Sequence, residues 1–128
     1  MRKMIDTGLP MPAQPFSWAV SAAGLMFTAH GPVRSDGTVD TGDVAQQARL
    51  TFENLRKAAE AAGADLRSVA QVLVTLVEAD DVPVVDAVYR EFFAAPYPNR
   101  STVIAKALVV PGMRIEIVAY VELAGVAT

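Results

Sequence analysis

The chain has 128 residues, of which 52% are hydrophobic, 20% charged and 7% aromatic, with no cysteine and one histidine. Eleven Lys and Arg against fourteen Asp and Glu leave a net charge of −3; the pI is near 5.0 and the mean hydropathy +0.31. These values fit one folded domain over 1–128 and exclude a disordered chain, a disulfide scaffold, thiolate catalysis and Cys-based or multi-histidine metal sites.

The N-terminal residues carry Arg2 and Lys3, but Asp6, Gly8 and Pro10 interrupt any apolar run. A signal peptide is not expected there, and no stretch reaches the ~20 apolar residues that cross a bilayer, so a cytoplasmic location is expected. Pro10, Pro12 and Pro15 mark residues 1–15 as an irregular entry segment. Phe16, Trp18, Val20 and Ala22 then alternate with Ser17, Ala19 and Ser21, which is strand periodicity. Ala23-Gly24 turns the chain into a second strand at Leu25–Thr28, ended by Gly31-Pro32. Ser35-Asp36-Gly37 is a turn before a short extended piece at Thr38-Val39.

Asp43 with Gln46 three residues later predicts a capped helix start, and Gly63 stands where a helix-terminating glycine belongs. Val44, Ala48, Phe52, Leu55, Ala59 and Ala62 form one stripe. Arg49, Glu53, Arg56, Lys57 and Glu60 take the other face, with Glu53 and Lys57 as an i,i+4 pair. Val69–Val77 follows, and within it Val72–Val77 runs without alternation, the mark of a strand covered on both faces. A second helix is capped by Asp81, has Pro83 in its first turn, buries Val85, Val88, Tyr89 and Phe92, and pairs Asp86 with Arg90 on its outside.

Pro96 and Pro98 stop that helix. Arg100–Val110 is the next strand, broken by Pro111-Gly112. In the last strand Met113, Ile115, Ile117, Ala119, Val121 and Leu123 face inward, and Arg114, Glu116, Val118, Tyr120 and Glu122 outward. The predicted order is ββαβαββ, an α+β fold with two helices packed on one sheet. Two helices cover one face, and a doubly apolar middle strand needs a cover for the other. Self-association supplies it, and the high hydropathy of so short a chain agrees.

Few residues are placed for chemistry. No Gly-x-Ser-x-Gly elbow or glycine-rich phosphate loop is present. Arg100, in Tyr97-Pro98-Asn99-Arg100-Ser101-Thr102, is either a surface charge or a rigidly mounted fork for a carboxylate, with Ser101 and Thr102 as further donors. Glu116 is either a solvated strand position or a carboxylate lowered into a pocket to direct water. His30 is either a hydrogen-bonded strand end or an acid/base group. Phe16 and Trp18 read as core or interface aromatics.

Several blocks, in order and spacing, resemble the RidA (reactive intermediate deaminase) family, also called YjgF, from Phe16 to Val121. Gln14-Pro15-Phe16-Ser17-Trp18-Ala19 resembles the family's Gly-Pro-Tyr-Ser-Gln-Ala entry strand, and Thr28-Ala29-His30-Gly31-Pro32 its Ser-Gly-Gln-Gly-Pro turn. Thr51-Phe52-Glu53-Asn54-Leu55 with Ala61–Leu66 resembles the first helix and its end, and Val88–Phe93 the second helix. Pro98–Val103, Pro111-Gly112-Met113 and Ile115-Glu116-Ile117 resemble the closing strand pair.

The resemblance implies a chorismate-mutase-like protomer in a homotrimer, with sites between subunits and no cofactor or metal. It implies that Arg100 binds the carboxylate of an imine or enamine acid and Glu116 positions the attacking water. Phe16, Thr28, His30, Ser101 and Thr102 would complete the substrate site. The resemblance further implies a substrate of the 2-aminoacrylate type and, as products, a 2-keto acid and ammonia. Departures are Phe16 for a tyrosine, Thr102 for a frequent cysteine, His30 for a glutamine and Asp86 for a frequent asparagine. Alternatives are a dedicated pathway deaminase of a larger enamine acid and a non-enzymatic acid-binding or regulatory trimer. A nuclease is disfavoured by the acidic charge and the lack of a basic stripe; neither nucleic acid nor a membrane is an expected partner.

Overall fold

A computed structural model describes residues 1–123. Six strands form one mixed sheet: β1 (Lys3–Met4), β2 (Ala19–Ala22), β3 (Leu25–His30), β4 (Val69–Leu76), β5 (Asn99–Ile104) and β6 (Ile115–Glu122). Their spatial order is β1-β2-β3-β6-β4-β5. Only β4 and β5 run parallel, joined by helix α2 (Val82–Phe92); helix α1 (Val44–Ala61) links β3 to β4. The α+β architecture with two helices on one sheet is therefore present. It carries one additional strand, because Lys3 and Met4 of the expected irregular segment pair with Ser21 and Val20.

Helix α1 starts as its sequence predicts, with the Asp43 carboxylate accepting from the Gln46 amide at 2.9 Å. Gly63 follows its end with φ +79°, a conformation that costs glycine little. The helical stripe packs Phe52, Leu55, Ala58 and Ala59 against Val72, Val74, Ile115, Ile117, Ala119 and Val121 of the sheet and Val85, Val88 and Tyr89 of α2. Charge pairing on the outer faces differs from the sequence pattern. Glu53 bonds Arg56 rather than Lys57, and Arg49 reaches across to Glu91 of α2.

Four further expectations need correction. The first long strand shortens to Ala19–Ala22 and turns its face over: Ala19 is buried while Phe16 is 44% exposed. Its register sets Ala19 against Thr28, both on the helix side. Strand β5 ends at Ile104 rather than Val110, because β4 ends at Leu76. The Ala105 amide donating to the Leu76 carbonyl is its last link. At α2, Asp81 holds the cap position without a side-chain cap bond, and its carboxylate takes the Arg114 guanidinium at 2.7 and 3.1 Å. Asp86 pairs with Arg100 instead of Arg90.

Strand β4 is buried on the helix side at Val72, Val74 and Leu76 but only half-buried at Gln71, Leu73 and Thr75. One copy therefore covers one face. The open face continues through Val20, Phe27, Val118, Tyr120 and Val103, with Phe27 37% and Val103 54% exposed. No helix is long and apolar enough to cross a membrane among the described residues.

Candidate active site

Arg100 is the second residue of β5, with Pro98 stiffening the approach, and its register partner Val72 fixes it to the helix side of the sheet. There its guanidinium lies over the Tyr89 ring of α2, 4.6 Å from the centroid. Its Nε donates to Thr102 Oγ1 at 3.0 Å and its Nη1 meets Asp86 at 2.9 Å. The side chain is 19% exposed. Threonine at 102 is two residues along the strand and so shares the face, which is why it reaches the fork. These contacts fix a cation that is hard to reorient, at the mouth of a cavity of about 220 Å³ lined by Asp86, Tyr89, Arg90, Tyr97 and Pro98. The Tyr89 hydroxyl is buried without a partner, and burial raises its pKa.

Glu116 is the second residue of β6 and pairs with Thr75, which in turn pairs with Val103. That register sets Glu116 on the open face, opposite to Arg100. It is half-buried, and burial pushes its carboxyl above the usual glutamate value. It lines a cavity of about 310 Å³ with Phe16, Trp18, His30, Val110 and Met113. Phe16 meets Trp18 edge-on at 4.8 Å, and Trp18 stacks on His30 at 5.9 Å.

His30 is 1% exposed, and burial lowers its pKa to about 3, so it is neutral at physiological pH. Thr28 has one hydroxyl proton and donates it to the Trp18 carbonyl at 2.7 Å. At the 2.7 Å contact with His30 Nε2 it must therefore accept. The proton sits on Nε2, and Nδ1 is a buried acceptor without a protein partner.

One chain thus gathers the expected residues into two groups. Arg100 and Thr102 lie together on the helix side. Phe16, His30 and Glu116 line the other cavity, with Thr28 fixing His30 from behind. Ser101 is exposed on the open face, away from Arg100. Among the described residues no cluster of three or more His, Cys, Asp or Glu could hold a metal ion.

Two positioning residues escape the helical stripe. Asn54, on α1, donates to the carbonyls of Gly31 at 3.1 Å and Val33 at 2.9 Å. Gln47 donates to Gly42 and Gly112, both at 3.0 Å, and accepts from the Arg114 amide at 2.8 Å. Both are buried. They pin the segment that follows His30 and the loop that carries Met113, and polar side chains inside a largely apolar helical face are the signal that could have revealed them.

A family model described as Endoribonuclease L-PSP matches residues 7–123. "Protein mmf2, mitochondrial" of Schizosaccharomyces pombe is 35% identical over 91 residues, covering 71% of this chain and 72% of that protein. A "2-iminobutanoate/2-iminopropanoate deaminase" of Dermatophagoides farinae is 33% identical over 106 residues, covering 80% and 82%. The crystal structure of Escherichia coli TdcF with bound serine is 29% identical with a TM-score of 0.86, covering 95% of this chain and 99% of that one.

Proposed function

The chain belongs to the RidA/YjgF family, the one described as Endoribonuclease L-PSP, and from that premise we propose that it is an enamine/imine deaminase. It hydrolyses 2-aminoacrylate-type intermediates to 2-keto acids and ammonia. The observation that carries this reading is the mounting of Arg100, held by Thr102, Asp86 and the Tyr89 face beside a cavity large enough for a small acid. Relatives named as imine deaminases support it, as does a structural neighbour determined with bound serine, itself a small amino acid.

An enamine tautomerises to an imine, whose carbon is electrophilic without metal or cofactor. Arg100 binds the carboxylate through charge-assisted bonds, each contributing about 1.5–3 kcal/mol. Glu116, whose carboxyl is held by burial above the usual glutamate value, takes a proton from water as the oxygen adds to C2. Returned to nitrogen, that proton lets ammonia leave and the carbonyl form. Because Arg100 and Glu116 occupy opposite faces of one sheet, the complete site is composed of Arg100 from one copy and Glu116 from another. The open apolar face of β3, β6 and β4 supplies the contact between copies, and the assembly is a homotrimer in the cytoplasm. Phe16, Thr28 and His30 line or support the Glu116 side, Thr102 the Arg100 side, and Ser101 faces the neighbouring copy.

The test is release of ammonia and keto acid from imines generated enzymatically from several amino acids. Acceleration over the spontaneous rate supports the reading. Binding of small acids with no acceleration for any imine contradicts it and favours the non-enzymatic alternative.

A further inference from the structure

Resting on the deaminase reading, one residue lacks a role that its chemistry calls for. Asp86 projects from α2 into the Arg100 cavity, and its carboxylate lies 2.9 Å from Arg100 Nη1. Arg100 is thus already matched by a negative charge before any ligand enters. A second carboxylate approaching the same fork meets repulsion from Asp86 as well as attraction from Arg100, in a partly dry setting that strengthens both. A ligand satisfies this pair only if it carries a carboxylate and, next to it, a positively charged N–H donor.

We propose that Asp86 recognises the reacting nitrogen: it accepts an N–H from the protonated imine while Arg100 holds the adjacent carboxylate. In an α-iminium acid the nitrogen and the nearer carboxylate oxygen are joined through two carbons. That O–C–C–N edge has a spacing of the same order as the 2.9 Å between Nη1 and the Asp86 oxygen. The four groups close a hydrogen-bonded ring in which each donor faces an acceptor. Three of the fork's anchors are independent of the ligand (Thr102, Asp86 and the Tyr89 face), so the edge is presented in a fixed plane.

The pair also distinguishes substrate from product. Water adds its oxygen to C2, the C–N bond breaks, and nitrogen departs as ammonia. The N–H donor opposite Asp86 has then become a carbonyl oxygen, an acceptor facing a carboxylate. The keto acid loses one bond and gains a repulsion, which favours its release. The site therefore selects α-iminium and α-ammonium acids over α-keto acids of the same size.

The experiment measures binding of L-alanine and of pyruvate, which differ at C2 only in the nitrogen or oxygen, to the assembled wild type, D86N and D86S. Turnover of 2-iminopropanoate is followed in parallel. The expected result is a wild type that prefers alanine. Both variants should tighten pyruvate and weaken alanine, moving their affinity ratio by about tenfold or more. The variants should also show lower kcat/KM and new product inhibition by pyruvate, with unfolding midpoints close to wild type. A wild type that turns over the imine while both variants keep the wild-type ratio overturns this proposal alone. A wild type that accelerates no imine overturns the deaminase reading itself.

Discussion

The Arg100 cavity and the Glu116 cavity handle charge in opposite ways. Around Arg100 every contact holds the charge in place: a carboxylate, a hydroxyl and an aromatic face surround a guanidinium that is 19% exposed. Around Glu116 the cavity is lined largely by apolar side chains, Phe16, Trp18, Val110 and Met113 among them, and burial raises its pKa. His30, in the same region, is held neutral until about pH 3. A compensated cation suits binding and orientation, since it must not change state during a turnover. An uncompensated carboxylate suits proton transfer, since its two states lie closer in energy.

Removing the fixed charge should have the largest effect. Arg100→Ala is expected to lower kcat/KM for imines by at least about 10³-fold, because binding and orientation are lost together. Arg100→Lys should recover little, an ammonium being unable to hold Thr102, Asp86 and a carboxylate at once. Steady-state kinetics on the assembled variants checks this, and wild-type turnover by Arg100→Lys would reduce the fork to a simple point charge.

On the apolar side, Glu116→Gln should leave keto-acid binding near wild type while slowing turnover by roughly 10²–10⁴-fold. The wild type should lose activity on the acid side as Glu116 protonates, at a higher pH than an exposed glutamate would. The Gln variant should lack that limb. A pH-rate profile of both proteins reads this out, and an unchanged acid limb would assign it to the substrate.

A smaller effect concerns stability. The folded pKa of His30 is lowered from 6.5 to about 3, so between those values the unfolded chain binds a proton that the folded one does not. Folding stability should therefore fall as pH drops from about 6.5 towards 3, by up to about 1.4 kcal/mol per pH unit. His30→Gln, which keeps a donor for Thr28, should lose stability less steeply across that window. Urea unfolding at pH 7, 6, 5 and 4 measures the two slopes, and parallel curves would contradict the burial argument.

Sequence periodicity was a good guide wherever one helix or strand packs on a single partner. The α1 stripe, its Asp43 cap, the Gly63 stop and the inward set Ile115, Ile117, Ala119 and Val121 are all present as read. It failed where the partner decides. The end of β5 depends on the end of β4, and the face of β2 on its pairing with β3. Asp86 takes Arg100 of β5 over Arg90 of its own helix, and Glu53 takes Arg56 over Lys57, choices that packing makes. The family resemblance stands, since the family model spans 7–123. Arg100 and Glu116 were legible as candidates from their flanking motifs, but their separation onto opposite faces follows from strand register. Gln47 and Asn54 were hidden because their roles lie in loops 65 and 23 residues away.

That separation is the central claim, and mixing two crippled proteins tests it most directly. Arg100→Ala and Glu116→Gln are each expected to be nearly inactive alone. Unfolded together in equal amounts and refolded, they should regain about a quarter of the wild-type rate, because a shared site is whole when the copy giving Arg100 and the copy giving Glu116 are each intact there. The refolded trimers, parental and mixed together, would be isolated by size and assayed for ammonia release at matched site concentration. Recovery near that fraction is the predicted result; mixed assemblies no more active than either parent would contradict a site shared between subunits.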